Sequence, residues 1–237
     1  MDFSIISNNI DIYLQGLKNT VILVSASLAM GLLTAIPLAV LRTSGHYSIR
    51  ALIRGYVYFF RGTPLLVQMF ILYYGFGQFE WLKQSFLWTF FQEAYFCALL
   101  AFTLNTAAYT TEIIRGAIEA TPHGEVEAAK AAGMSRLLML RRIILPSAFR
   151  RALPTYSNEV IFMLHGSSLA SVITIIDITG AARIINSRFY SPYEAFLTAA
   201  AFYLTLTFLI VFLVKKLEVR WFAHLRPQEA SALRKAV

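Results

Sequence analysis

The sequence predicts an all-α polytopic membrane protein, and three observations predict it. Of its 237 residues, 57% are hydrophobic and only 14% are charged, against roughly 25% charged in soluble domains. Asp, Glu, Lys and Arg are absent from 19–41, 62–79, 94–111, 160–176 and 195–214, windows of 23, 18, 18, 17 and 20 residues. A helix needs about 20 residues to cross a bilayer. The breaks between the windows, finally, share the basic residues unevenly. A soluble enzyme is excluded. The single Cys97 leaves no disulfide framework, and no zinc spacing, phosphate loop or nucleophile elbow occurs.

Five spans follow, at about 19–41, 62–79, 94–114, 152–172 and 195–215. The first carries Gly31 and Pro37, which a membrane helix tolerates because neighbouring helices satisfy a freed carbonyl. The break 42–61 holds Arg42, Arg50, Arg54 and Arg61 without an acid. The break 115–151 holds seven basic residues, and the tail after the fifth span six more. Together these account for 17 of the 21 Lys and Arg residues, which predicts a cytoplasmic location for that side. The N-terminus is then periplasmic and the C-terminus cytoplasmic. The division predicted is a periplasmic segment 1–18, a membrane domain 19–215 and a cytoplasmic tail 216–237. Residues 1–18 lack the basic start of a cleavable signal, so the first apolar run reads as a retained helix. The net charge of +8 is an orientation signal and a source of anionic-lipid contact, not a nucleic-acid footprint.

The loop 115–151 has its own pattern. Thr121-Pro122 with Glu125 reads as a helix start, with Thr as cap and Pro at the first position. Glu125 to Ala132 is rich in strong helix formers, and Gly133 supplies a left-handed end. This Ala-rich helix is either a surface connector or a ridge on which another protein docks. The following run mixes Met134, Leu137, Leu138, Leu140 and Ile143 to Leu145 with Arg136, Arg141 and Arg142, the pattern of an interfacial amphipathic helix. Pro146 is expected to stop it, and Pro154 to mark a second break.

Glu127-Ala128-Ala129, three residues, Gly133, nine residues, then Ile143-Ile144-Leu145-Pro146 resembles the "EAA" loop of permease subunits of bacterial ABC importers. Arg61 to Gln68 (RGTPLLVQ), Leu104 to Tyr109 (LNTAAY) and Tyr156 to Ile161 (YSNEVI) resemble the polar amino acid branch. Over roughly 15–225 the chain is similar to M-type permeases of the histidine, arginine/ornithine, octopine and nopaline systems. The resemblance implies a type I importer transmembrane domain with five helices per subunit. It also implies a second permease subunit (a Q-type paralogue), two cytoplasmic ATPase subunits and a periplasmic amino-acid-binding protein. By that comparison the helix around Glu127 to Gly133 is the coupling helix, and Glu127, Ala128, Ala129 and Gly133 contact the ATPase. The chain itself would be non-catalytic and without a cofactor, ATP being bound by the partner.

A carboxylate inside a span is costly unless paired or facing water. Glu159 is therefore read as lining a path for a cationic solute, or as a structural ion pair with an arginine or with the partner permease. Asn158 points about 100° away from it. Asn105, between Thr103 and Thr106, serves helix packing or the solute, and Gln68, four residues beyond Pro64, is open to both. These four are the candidate path residues. His165 with Gly166-Ser167-Ser168 reads as a packing or gating break, and Glu112 and Arg115 as interfacial anchors. The segment 175–182 reads as an outer-loop helix placed against the binding protein, and the aromatics of 79–96 as an interfacial belt. The expected function is ATP-driven import of a basic amino acid. Import of an opine or another polar amino acid, an ion-coupled secondary transporter and a non-transporting scaffold are the alternatives.

Overall fold

Burial in the chain is concentrated where helices carry small side chains. The computed structural model describes residues 4–221, and every regular element in that part is a helix. Helix α1 (Ile10–Ser44) is 35 residues long, about 52 Å at 1.5 Å per residue. It therefore runs through the expected boundary at 18/19. Helices α2 (Tyr47–Gly62) and α3 (Leu65–Gln78) follow. Two short helices, Glu80–Lys83 and Trp88–Phe91, lead into α4 (Ala94–Glu119). The exposed α5 (His123–Ala131) precedes α6 (Arg136–Ile173), α7 (Ile178–Phe189) and α8 (Pro192–Trp221).

Among the described residues, three helices (α1, α4 and α8) are long and apolar enough to cross a membrane. A fourth span arises if α6 and α7, bent by 46° at their junction, are taken as one broken crossing. The expected five are not reached, because the window 62–79 is not one helix. Pro64 cannot donate a backbone hydrogen bond and its neighbour avoids the helical region. Thr63 is accordingly extended, at φ −116° and ψ 145°. α2 therefore ends at Gly62, and α3, interrupted by a π turn over Ile71–Gly75, is left short.

The central packing is α1 against α4. Ser27, Gly31, Ala35 and Ala39 recur at i, i+4 along one face of α1 and are all buried. On α4 the buried set includes Ala98, Ala101, Thr103, Thr106, Ala107 and Thr110. Small residues let helix backbones approach closely inside a membrane. The approach is closest at Gly31, where a β-carbon would collide with Cγ2 of Thr106. At the other end of α1, a β-carbon on Gly16 would lie 2.6 Å from the Asp177 carbonyl oxygen.

Three further expectations are corrected. Pro146 does not stop the helix that begins at Arg136. A π turn over Leu140–Ile144 absorbs the misfit, and Pro146 sits in the first turn of the next α-helical stretch, where no donor is needed. Pro154 lies inside that stretch, not at its start. Glu112 and Arg115 are not simple interfacial anchors: Arg42 at the end of α1 pairs with Glu112, and Arg115 bridges Glu112 and Glu119. This ion-pair chain ties the ends of α1 and α4.

Of the segment 175–182 only the part from Ile178 onward is helical, and its helix α7 is packed inward. Asp177 caps α7 by accepting from the Gly180 N–H at 2.7 Å, and Tyr203 donates to its other oxygen at 3.0 Å. Ile178, Ala181, Ala182 and Ile185 then bury against Tyr13, Ala195 and Ala199. The tail predicted over 216–237 begins inside α8, which runs unbroken to Trp221; its remainder, with Arg226, Arg234 and Lys235, lies outside the described residues.

Candidate functional site

The proline break explains what two of the candidate polar residues do. In an uninterrupted helix the Phe60 carbonyl would accept from the N–H of residue 64, and residue 64 is proline. Two side chains supply the missing donor: Gln68 Nε2 at 2.8 Å and Asn105 Nδ2 at 3.2 Å. Gln68 Nε2 also donates to the Thr63 carbonyl at 3.0 Å and to Thr63 Oγ1 at 2.8 Å. Asn105 Nδ2 donates to Gln68 Oε1 at 3.0 Å. The two amides thus form one brace that fixes the break to α4.

Beside this brace is a cavity of about 290 Å³ lined by Leu65, Asn105, Tyr109, Glu159, Phe162 and Met163. Glu159 is buried, and its Oε1 accepts from Thr106 Oγ1 at 2.8 Å. Arg61 stacks over the Tyr109 ring at 5.1 Å, within cation–π range. The wall therefore combines one carboxylate, one amide and four large apolar or aromatic side chains. By its chemistry such a surface can pair with a cationic group and pack against an aliphatic stem.

The candidate path residues are not all brought together. Glu159 and Asn105 line the cavity. Gln68 is buried behind it in the brace, and Asn158 is exposed on another face of α6. The hydrogen-bond partner of Glu159 is Thr106, and Arg151, nearby in sequence, bonds elsewhere. Arg151 instead donates to the Ala117 carbonyl through Nε and Nη2, to Thr121 Oγ1 at 2.7 Å and to Ser147 Oγ at 2.7 Å. Sequence reasoning missed three participants: Thr106, Tyr109 and Arg61. Each stands in a quoted motif, LNTAAY or RGTPLLVQ, but no local pattern says which of their residues gather at the cavity.

The second candidate site is α5. Thr121 does not cap it, because its hydroxyl accepts from Arg151; the preceding Pro122 holds an extended φ, ψ of −56° and 132° and the helix starts at His123. Its C-terminal end is a full Schellman motif. Gly133 N–H donates to the Lys130 carbonyl at 2.9 Å and Met134 N–H to the Ala129 carbonyl at 3.1 Å. Gly133 is left-handed, at φ 73°. Glu127, Ala128 and Gly133 are exposed, whereas Ala129 is buried within the subunit. Arg151 clamps the end of α4 and the approach to α5 onto α6, the helix that bears Glu159.

The family model described as "Binding-protein-dependent transport system inner membrane component" matches residues 22–222. The nopaline transport system permease protein NocM of Agrobacterium fabrum is 45% identical over 237 residues, 100% of this chain and 98% of that protein. The histidine/lysine/arginine/ornithine transport system permease protein HisM of Salmonella typhimurium is 48% identical over 210 residues, covering 88% of this chain and 89% of that one. A crystal structure of an amino acid ABC transporter with histidines superposes with a TM-score of 0.83 at 32% identity, over 93% of this chain and 99% of that chain.

Proposed function

Because the chain belongs to the family of binding-protein-dependent transport system inner membrane components, as an M-type permease subunit of an ABC importer, we propose that it imports basic amino acids through the cavity at Glu159. The chain is a multi-pass protein of the bacterial inner membrane. It is a non-catalytic subunit, and the ATP is hydrolysed by a separate ATPase. The observation that carries the reading is the placement of Glu159, a carboxylate on the wall of a cavity otherwise lined by an amide and apolar groups. Arginine, ornithine, lysine and histidine are the solutes this chemistry fits. The HisM relative is named for the same four.

The path is completed by a second permease subunit, here a Q-type paralogue, whose wall faces the half-open cavity. Five crossings result if the short α3 is the second and the α6–α7 pair the fourth, with the N-terminus periplasmic and the C-terminus cytoplasmic. The membrane domain then spans 19–215, with the coupling loop at 115–151. Glu127, Ala128 and Gly133 meet the ATPase, and Ala129 supports them from beneath. ATP binding draws the paired α5 helices together. The Arg151 clamp passes that motion to α6, and the cavity opens toward the periplasmic binding protein. Asn105 and Gln68 hold the break rigid while the cavity wall moves.

The test is competition for uptake by the complete importer in proteoliposomes, using arginine, histidine, glutamine and glutamate. Arginine and histidine are expected to compete, and glutamate to leave uptake unchanged. Preference for glutamate overturns the cationic assignment. A second reading, import of an opine, is favoured by the match along the whole chain to the nopaline permease. Stronger competition by nopaline than by arginine selects it.

A further inference from the structure

Away from the Glu159 cavity, α1, α4, α6 and α8 leave a slot of about 380 Å³ whose wall includes Leu32, Ile36, Ile114, Leu153 and Leu217. The slot shares Phe149 and Trp221 with a second pocket of about 510 Å³, lined also by Pro146, Arg150 and Arg220. The two adjoin at these side chains: an apolar slot between membrane helices with two arginines on the neighbouring pocket. Leu217 and Trp221 are one turn apart on α8, so one face of that helix floors both parts. Glu218, the nearest acid along α8, is two residues from Arg220 and so about 200° around the helix from it. The acid does not share Arg220's face.

We propose that this slot binds an anionic phospholipid, one acyl chain lying between α1, α6 and α8 and the phosphate meeting Arg150 and Arg220. The charge complementarity selects the occupant. A free phosphate would leave the apolar slot unfilled. A zwitterionic lipid would fill it without the gain that basic residues near a membrane surface draw from anionic headgroups. The bound chain would wedge α8 against α6, the helix that carries Glu159. The site is separate from the solute cavity and shares only α4 and α6 with it.

Trp221 reports on occupancy. The complete importer is placed in phosphatidylcholine vesicles containing a small fraction of either phosphatidylglycerol or phosphatidylcholine with brominated chains. The Trp221 signal is taken as the difference between the unaltered protein and Trp221→Phe. Brominated phosphatidylglycerol is expected to quench at about 30-fold lower mole fraction, the preference two basic contacts give. Arg150→Gln with Arg220→Gln should remove that preference while leaving quenching by phosphatidylcholine unchanged. Ile36→Phe, which fills the slot and spares the arginines, should weaken quenching by both lipids. Equal quenching by the two lipids in the unaltered importer overturns the proposal, as does a preference that survives the double substitution. Quenching that emerges only after deletion of 222–237 assigns the slot to the chain's own tail and likewise overturns it.

Discussion

The cavity at Glu159 and the helix α5 are both polar features of a mostly apolar chain, yet they are held in opposite ways. Glu159, Thr106, Asn105 and Gln68 are buried and joined by side-chain hydrogen bonds that cross between helices. At α5 and its Gly133 end, Glu127, Ala128 and Gly133 are exposed, and the fold is held by the backbone bonds of the Schellman motif. A buried polar group must be matched within the protein, because an unmatched one costs about 1–3 kcal/mol. An exposed ridge has no such constraint and can be shaped for a partner. The difference matches the roles proposed for the two regions, the first selecting what is carried and the second linking carrying to ATP. Arg151 is the join between them.

Four substitutions sharpen or break that division. Glu159→Gln keeps an acceptor for Thr106 but removes the charge. Uptake of a basic amino acid should fall about 10- to 100-fold, the range given by losing a charged hydrogen bond, while ATPase activity of the complex persists. Uptake at the original rate would break the assignment. Gly31→Leu forces α1 away from Thr106, and overpacking of this kind costs about 1–3 kcal/mol. Thermal unfolding in detergent should report it as a lower midpoint, with Thr106 drawn away from Glu159. Gly133→Val places a β-branched residue at a left-handed position, a cost of about 1–2 kcal/mol, with open space around it. The subunit should insert normally, and ATP hydrolysis should continue while solute uptake is lost; normal uptake would detach α5 from coupling. Asn158→Ala should be the mildest, with stability changed by less than about 0.5 kcal/mol and uptake within about twofold. Collapse of uptake would place Asn158 with Glu159 and erase the distinction between their faces.

Much of the fold was legible along the chain. The charge-free windows locate α1, α4 and α8, because transfer into a bilayer is nearly a sum over residues. Gly133 was readable as a helix end, since few other residues adopt its φ of 73°. Pro64 was equally visible, but its consequence was not: that Gln68 and Asn105 would replace its missing donor depends on α4 passing beside the break. Thr121 misled for a related reason. Its capping signature is local, and Arg151, 30 residues on, competes for the hydroxyl. Pro146 misled because a π turn upstream accommodates it.

Hydropathy, the Lys/Arg distribution and the spacing of the coupling loop were determined by the sequence itself, since each rests on properties of single residues or short runs. The motifs were also enough to point to a permease. Only the tertiary structure decided that Thr106 would meet Glu159 across 53 residues of chain. That meeting requires α4 to lie against both α1 and α6, and it is fixed by the close approach at Gly31. Local preference sets where a helix runs and stops; which faces confront each other is set by packing summed over all the helices at once.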